Sequence, residues 1–191
     1  MASKTLSFWL ISAAFLLGFF ASIGMLGHVH PYFAGLGVDE ATAAAVYGIT
    51  GNMGILGKLS SGYLSDRLPV GYVTALYFAL QAAGILLLLA LSGGTAVMWV
   101  FAVLYGTGMG GMATLQPLVV AQRFGRAFFA TLFGVVAFFG YSGGAAGPLV
   151  AGYLYTATGS YHWALIIFLF FFAAGAVCIL FAWFPRKSRK P

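Results

Sequence analysis

Long apolar runs, separated by short polar breaks, cover nearly all of this 191-residue chain. A helix needs about 20 mainly apolar residues to cross the roughly 30 Å hydrocarbon core of a bilayer. Runs such as residues 85–90 do not alternate between polar and apolar positions, as the strands of a membrane barrel do. The pattern therefore predicts an all-α membrane protein with one bundle of six transmembrane helices, over residues 6–27, 41–64, 70–91, 96–120, 127–155 and 162–184, followed by a basic tail at 185–191.

The composition supports this prediction. Hydrophobic residues make up 62% of the chain and charged residues only 6%, against about 45–50% and 25% in soluble globular domains. A water-soluble fold would lack the polar side chains to cover its surface, and a disordered chain would be far more polar. We expect an integral multi-pass protein of a lipid bilayer, in the cell (inner) membrane.

The basic residues predict the orientation of the helices. Lys4, Arg67, Arg123, Arg126 and the tail flank alternate connections, whereas residues 29–40, 92–95 and 156–161 contain no Lys or Arg. Cytoplasmic loops of membrane proteins carry the excess of Lys and Arg, so both termini are expected in the cytoplasm. The net charge of +6 does not indicate nucleic acid, because the basic residues form no stripe among exposed aromatic residues.

Glycines are concentrated in the second, fourth and fifth predicted helices, while the third and sixth are rich in Phe and Leu. Small residues at helical spacing let helix backbones approach closely in lipid. We therefore expect helices 2, 4 and 5 to form the interior and helices 3 and 6 to face lipid.

Lys58 is the main candidate for chemistry. It lies eight residues before Asp66, about 12 Å deeper than the helix end, and no acidic residue lies inside any predicted helix. An intramembrane Lys is costly and usually faces a cavity or a partner, so an anionic ligand would supply the missing charge. The alternative is that Lys58 reaches the cytoplasmic interface along its aliphatic stem.

Helix 4 offers a further candidate face. Tyr105, Met109, Met112 and Gln116 recur at helical spacing, and hydroxyl, amide and thioether groups suit a small, partly apolar ligand. The same spacing is also typical of helix packing. Asn52 and Tyr141 complete the candidate substrate-binding set, although Asn52 lies about 120° around helix 2 from Lys58 and is also suited to bonding a neighbouring helix.

The sequence does not indicate an enzyme. It contains no nucleophile, base and orienting group at recognisable spacing, and no phosphate-binding loop, so no cofactor is expected. His28, His30 and His162 lie at the outer helix ends, but residues at i and i+2 of a helix diverge, so no metal site is predicted. Hydrogen bonding at the interface and proton coupling remain the two interpretations of these histidines.

Four short segments resemble the major facilitator superfamily, in particular its monocarboxylate and oxalate/formate branch. The segment ending helix 2 matches the family's cytoplasmic motif at Gly62, Asp66 and Arg67. The other three segments are residues 124–128 with Gly134, residues 147–155 and residues 158–161. In order and spacing they match helices seven to twelve of a twelve-helix transporter. The chain departs from the pattern at residues 68–70, which lack a glycine and basic residues, and in helix 5, which lacks a basic residue.

The resemblance implies a fold and a function. Each bundle of this family contains inverted three-helix repeats and binds substrate near the bilayer midplane, between two bundles. Gly62, Asp66 and Arg67 would then form the cytoplasmic gate motif, and Lys58 would match a basic residue that binds a substrate carboxylate. We expect transport of a small, monocarboxylate-like organic anion by alternating access, as an antiporter or symporter with the proton as one candidate coupling ion. A second bundle would come from a homodimer or a separately encoded half; the alternative is a truncated, non-transporting protein that packs against or modulates a partner transporter.

Overall fold

The computed structural model describes residues 5–90 and 94–183 and is helical almost throughout. Within these ranges it contains six α-helices and no strand, which confirms the predicted fold class. The helices are α1 (Leu6–Gly35), α2 (Glu40–Arg67), α3 (Val70–Ala90), α4 (Thr95–Phe124), α5 (Phe129–Thr158) and α6 (His162–Trp183).

The largest departure from the expected bounds is at the end of α1, which continues to Gly35 instead of ending at residue 27. Pro31 lies inside this extension; a proline in a helix removes one backbone hydrogen bond but need not end the helix. Val29 and Phe33, four residues apart, are fully buried, so the apolar face of α1 continues past Pro31. The predicted helix ends at residues 91 and 184, Lys4 and the tail at 185–191 lie outside the described residues.

The six helices form two similar halves, α1–α3 and α4–α6, which pack mainly on each other. Helix α1 packs on α5 and α6, helix α4 packs on α2 and α3, and α3 packs on α6. Exchanging the first three helices with the last three therefore reproduces the same set of contacts. This is the arrangement expected of inverted three-helix repeats.

Glycines allow the closest helix contacts between the two halves. A Cβ atom at Gly57 of α2 would overlap the Thr107 carbonyl of α4, and one at Gly147 of α5 would overlap the Phe20 carbonyl of α1. Backbone-to-backbone packing of this kind is possible only where no side chain intervenes. The glycine rows thus position α2 on α4 and α5 on α1.

The expectation that helices 2, 4 and 5 form the interior is right for α4 and wrong for α2 and α5. Seven of the 28 residues of α2 and seven of the 30 residues of α5 are buried, against 14 of 30 in α1 and 13 of 30 in α4. The buried residues of α2 and of α5 form one stripe on each helix, and this stripe contains the glycines that contact a neighbouring helix. Most of the remaining surface of both helices is exposed in this chain. With ten of its 21 residues buried, α3 belongs with α1 and α4 among the most buried helices, although helix 3 was expected to face lipid.

Among the described residues, five helices are long and apolar enough to cross a membrane: α1, α3, α4, α5 and α6. The remaining helix, α2, is of similar length but contains Lys58, Asn52 and several glycines and serines. Because α2 packs along α4, it runs beside the apolar helices. Together they form a multi-pass membrane bundle.

The two ends of the bundle differ in charge. Phe8 of α1 contacts Phe124 of α4, and the Arg123 guanidinium donates to Ser7 Oγ at 3.1 Å. These contacts place the first residues of α1 beside the last residues of α4. We call this side of the bundle the basic end, because it also carries Arg67 and Arg126. The opposite end, the acidic end, carries Asp39 and Glu40. That the basic end faces the cytoplasm stays a prediction.

Candidate functional site

Lys58 lies at the edge of the stripe through which α2 contacts α4. That stripe consists of small and buried side chains: Ala43, Val46, Thr50, Gly54, Gly57, Ser61 and Ser65. On one side of the stripe Ser60 forms a 2.7 Å hydrogen bond with Tyr77 of α3. At 100° per residue, Lys58 is about 160° around the helix from Ser60. Its side chain is exposed and lies on the side of α2 that α3 does not cover.

Lys58 starts at mid-height of the bundle. Its neighbour Gly57 abuts the Thr107 carbonyl and the Gly111 amide, and these residues lie in the middle of α4, which runs from Thr95 to Phe124. Nine residues separate Lys58 from Arg67 at the end of α2, a rise of about 14 Å. The backbone of Lys58 is therefore far from either end of the helix.

Met109 of α4 faces the same side of the bundle. Around α4, Gly106 and Gly110 face α2, whereas Tyr105 bonds α1. At 100° per residue Met109 points between these two directions, as does Ala113. Met109 is half-buried and Ala113 is exposed. We call Gly51, Lys58, Met109 and Ala113 the open face. It is apolar apart from one ammonium group, and an added Cβ atom at Gly51 would meet no described residue within 4 Å.

The charge of Lys58 is not balanced within the described ranges. No hydrogen bond or ion pair from residues 5–90 and 94–183 reaches its ammonium group. The three acidic residues are at helix ends: Asp39 and Glu40 at the start of α2 and Asp66 near its end. The open face therefore offers a positive charge, at mid-height, to an anion.

Tyr105 and Gln116 do not reach the open face. The Tyr105 side chain is 0% exposed, and its hydroxyl donates to the Ser22 carbonyl of α1 at 2.8 Å. The Gln116 side chain is 2% exposed and its amide donates to the Val136 carbonyl of α5 at 3.4 Å. Met112 is also buried. Of the predicted stripe on α4, only Met109 is accessible, and the others fit the packing interpretation.

Asn52 and Tyr141 are both exposed, but in different surroundings. No hydrogen bond from the part of the chain that the structure describes reaches the Asn52 amide, so Asn52 does not bond a neighbouring helix there. It lies about 120° around α2 from Lys58. The Tyr141 ring packs against Phe19 of α1, with 5.6 Å between ring centroids.

The gate motif lies at the basic end of α2. Asp66 and Arg67 are exposed, and the Arg67 guanidinium lies 4.4 Å from the centre of the Tyr63 ring. A Cβ atom at Gly62 would meet none of the described residues within 4 Å. The motif therefore presents two features to any element that packs beside α2. These are the Asp66 carboxylate and, at Gly62, a helix surface without a side chain.

The sequence alone did not identify a buried polar cluster between α1, α3 and α4. Ser22 Oγ donates to Gln81 Oε1, and the Gln81 amide donates to the Met112 sulfur at 3.8 Å. Gln81 is 0% exposed, and buried polar side chains generally require such partners. The signal in the sequence was an amide in an otherwise apolar helix, but the sequence does not give its partners.

His28 connects three elements at the acidic end. Its two ring nitrogens lie 3.0 Å from the Pro148 carbonyl of α5 and 3.0 Å from the Tyr161 hydroxyl, which precedes α6. Because a carbonyl can only accept, Nε2 carries a proton and donates to Pro148. This agrees with the hydrogen-bonding interpretation of His28.

Comparisons with known proteins identify similar chains. A family model described as Major Facilitator Superfamily matches residues 1–148. Monocarboxylate transporter 12 of Rattus norvegicus is 29% identical over 164 residues, which cover 84% of this chain and 34% of that protein. Monocarboxylate transporter 12-B of Danio rerio is 33% identical over 134 residues, covering 69% of this chain and 28% of that protein. The chain spans about a third of the length of the curated relatives it matches.

Solved structures show the same fold. A mutant of the peptide transporter POT in complex with alafosfalin superposes with a TM-score of 0.78 at 21% identity, covering 91% of this chain and 37% of that chain. The same mutant in complex with sulfate superposes with a TM-score of 0.79, with the same identity and coverage. At this level of identity the likeness concerns the arrangement of the helices only.

Proposed function

Because the chain belongs to the Major Facilitator Superfamily, we propose that it takes part in the transport of a small organic anion across a membrane. The anion binds at the open face with its carboxylate against Lys58, while Met109 and Ala113 contact its apolar part. The similarity to monocarboxylate transporters supports a monocarboxylate-like substrate. The cell (inner) membrane is the proposed location.

The observation that carries this proposal is the position of Lys58. It is an exposed cation at mid-height of a membrane bundle, and no described residue pairs with it. Burying an unpaired charge costs far more than burying a paired one. A carboxylate that enters with the substrate removes this cost, so the site favours anions over neutral solutes of the same shape.

Alternating access requires a second bundle on the other side of the substrate. The exposed surfaces of α2 and α5, which carry Leu56, Leu59 and Phe138 among others, suit such a contact. A second copy of this chain, a separate half or further sequence would each supply it. Asp66, at the basic end, would then approach the start of the second bundle's α5, where the helix dipole favours a carboxylate.

The transport proposal is tested by reconstituting the protein in liposomes and measuring uptake of labelled small monocarboxylates, with and without a pH gradient. Wild-type protein is expected to show saturable uptake, and Lys58→Ala to lose most of it. Lys58→Arg, which keeps the charge, should retain part of the activity. Stimulation by an inward proton gradient would identify the proton as the coupling ion.

Arg126→Gln is the matched control, because it removes one positive charge at the basic end, away from the open face. Its uptake should equal that of wild-type protein. Unchanged uptake by a folded Lys58→Ala variant would reject the role of Lys58. Folded protein without uptake of any monocarboxylate, together with a stable complex with another transporter, would favour the non-transporting alternative.

The second bundle is tested by cross-linking in membranes, with Cys178 replaced by Ser. A cysteine at Gly51, on the open face, is expected to cross-link to another bundle. A cysteine at Val177, which is exposed on α6, is the control and should cross-link much less. Equal cross-linking at both positions would indicate random collisions.

A further inference from the structure

Arg123 lies at the basic end of the bundle, where three helices meet. It is in the last turn of α4, and its guanidinium group donates to Ser7 Oγ of α1 at 3.1 Å. Ser7 Oγ in turn donates to the Ala182 carbonyl of α6 at 3.4 Å. The half-buried Arg123 side chain is therefore held in one place between α1, α4 and α6.

The Trp183 ring forms one wall beside Arg123. The guanidinium carbon of Arg123 lies 5.9 Å from the centre of this ring, a distance at which an aromatic face attracts a cation. A Cβ atom at Gly71 of α3 would overlap the same ring, so the ring packs directly on the α3 backbone. Ser7, Arg123 and Trp183, which we call the arginine site, thus lie where α1, α3, α4 and α6 meet.

Most of the hydrogen-bonding capacity of Arg123 is unused within the described residues. A guanidinium group has five N–H donors, and Ser7 Oγ is the one acceptor that residues 5–90 and 94–183 provide for it. Asp66 is the acidic residue at this end, and no described hydrogen bond or ion pair joins it to Arg123. A planar fork of donors with an unbalanced charge is suited to the oxygens of an anion such as phosphate.

The surroundings of the arginine site are positive. Three helices start and three helices end at the basic end, so the positive and negative helix ends largely offset each other. The side chains then decide the sign, and three arginines lie there with one carboxylate, that of Asp66. The segments 1–4 and 184–191, which precede α1 and follow α6 along the chain, add five Lys or Arg and no Asp or Glu.

The arginine site lies at the level of the membrane interface. Trp side chains are enriched where the hydrocarbon core meets the lipid head groups, and Trp9 and Trp183 lie in the first turn of α1 and at the last residue of α6. Leu6 and Trp9, on the same turn of α1 as Ser7, are exposed. A lipid phosphate lies just outside the hydrocarbon core, and thus at the level of the Arg123 guanidinium.

We propose that the arginine site binds the phosphate group of an anionic lipid. Arg123 donates to the phosphate oxygens, while Leu6 and Trp9 contact the lipid chains. Basic pockets between membrane helices bind lipid head groups in this way. The site is at the basic end, whereas Lys58 is at mid-height, so the proposal does not depend on the transport of an anion or on which end faces the cytoplasm.

The lipid site is tested by native mass spectrometry of the purified full chain in detergent, titrated with dioleoyl phosphatidylglycerol. Dioleoyl phosphatidylcholine has the same chains and a phosphate group but no net charge, and glycerol phosphate has the phosphate without the chains. Phosphatidylglycerol is expected to bind about fivefold more tightly than phosphatidylcholine. Glycerol phosphate at equal concentration should not displace it.

Variants then test the role of the guanidinium group. Arg123→Gln loses the charged hydrogen bonds and should weaken phosphatidylglycerol binding roughly tenfold, whereas Arg123→Lys keeps the charge but not the fork and should weaken it about threefold. Arg126→Gln is the matched control, because it removes the same charge at an exposed position three residues away. Its affinity should stay within about twofold of wild-type protein.

The proposal is overturned if phosphatidylcholine binds as tightly as phosphatidylglycerol, or if a folded Arg123→Gln protein keeps its affinity. Equal losses for Arg123→Gln and Arg126→Gln would overturn it as well, because they would indicate diffuse attraction to the basic end. Displacement by glycerol phosphate at equal concentration would assign the site to a free phosphate compound instead of a lipid. If Arg123→Gln does not fold, Arg123→Lys and the titrations of wild-type protein decide the matter.

Discussion

The Tyr105 hydroxyl bonds the backbone of α1, and this contact gives a prediction at the scale of one residue. Tyr105→Phe removes a buried donor but keeps the ring, so we expect the free energy of unfolding to fall by about 1 kcal/mol. The apparent substrate affinity should not change, because Tyr105 does not reach the open face. Unfolding in mixed detergent micelles and uptake kinetics measure the two effects.

Tyr141→Phe is the control for this prediction, because Tyr141 is exposed and no hydrogen bond from the described residues reaches its hydroxyl. Its stability should equal that of wild-type protein. A raised KM for Tyr105→Phe with unchanged stability would instead assign Tyr105 to the substrate.

Among single residues, the sequence predicted the unusual ones better than their partners. Lys58 stood out because a charge in an apolar run is costly wherever it lies, and the structure leaves it exposed at mid-height. Tyr105 lies four residues before Met109 and Gln116 seven residues after it, which predicts that all three share one face of α4. Tyr105 and Gln116 are nevertheless buried. Which side of a helix is covered depends on its neighbours, and these are not encoded in local spacing.

At the scale of the helix, the contact between α2 and α4 depends on the absence of a side chain at Gly57. A Cβ atom there would overlap the Thr107 carbonyl and the Gly111 amide, both backbone groups that cannot rotate away. Gly57→Ala should therefore destabilise the bundle by about 1–3 kcal/mol. Detergent unfolding of the variant measures this loss.

Gly48→Ala is the matched control on the same helix, because an added Cβ atom at Gly48 would meet no described residue within 4 Å. Alanine is the better helix former by up to about 1 kcal/mol, so this variant should be as stable as wild-type protein or more stable. Equal losses for both variants would mean that α2 does not pack on α4 through Gly57.

The stability that the first turn of α2 contributes should depend on pH. The Asp39 side chain accepts from the Thr42 amide at 2.9 Å, and this hydrogen bonding lowers the pKa of Asp39 below its usual value. The stabilisation is thus fully present above the pKa of this carboxyl group in the unfolded chain, about 3.9. It is lost as the pH falls through the lower pKa of Asp39 in the folded protein. Thermal unfolding from pH 6 downwards should show a smaller acid-induced loss for Asp39→Asn than for wild-type protein.

Asp39→Ala completes this comparison, because it removes both the charge and the acceptor. It should be less stable than Asp39→Asn at every pH, since Asn also caps helices well and Ala does not. Identical acid sensitivity of wild-type protein and Asp39→Asn would show that the ionisation of Asp39 does not contribute to stability.

The helix starts were predicted within two residues because polar breaks and glycines interrupt long apolar runs at these places. The end of α1 was not, since the long apolar run gives way to His28, His30 and Pro31 after residue 27. In the structure Val29 and Phe33 are buried, and the Phe33 ring packs against the Phe101 ring of α4, with 6.0 Å between the ring centroids. Tertiary packing thus extends α1 past residues that are poor helix formers on their own.

At the scale of the whole molecule, the orientation of the bundle is open to test. With Cys178 replaced by Ser, a cysteine at Arg126 lies at the basic end and one at Ser160 at the acidic end. A membrane-impermeant thiol reagent added outside cells should label Ser160→Cys and leave Arg126→Cys unlabelled until the membrane is opened. The reason is the excess of basic residues in cytoplasmic loops.

The reverse labelling pattern would place the basic end outside. Labelling of both cysteines from the same side would contradict the antiparallel arrangement of α4, α5 and α6, since these two positions lie in successive turns. Either result would also remove the predicted cytoplasmic location of the gate motif at Asp66 and Arg67.

The chemistry of the amino acids alone determined that this protein is a bundle of membrane helices, because apolar runs of this length are stable only in lipid and a backbone in lipid must satisfy its own hydrogen bonds. It also singled out Lys58. Only the tertiary structure decided that α1, α3 and α4 are the most buried helices, that Tyr105 is buried, and that Tyr32, Tyr155 and Tyr161 share one cavity. These facts depend on contacts between distant segments, and side chains of equal polarity can be covered or exposed according to which helix lies beside them.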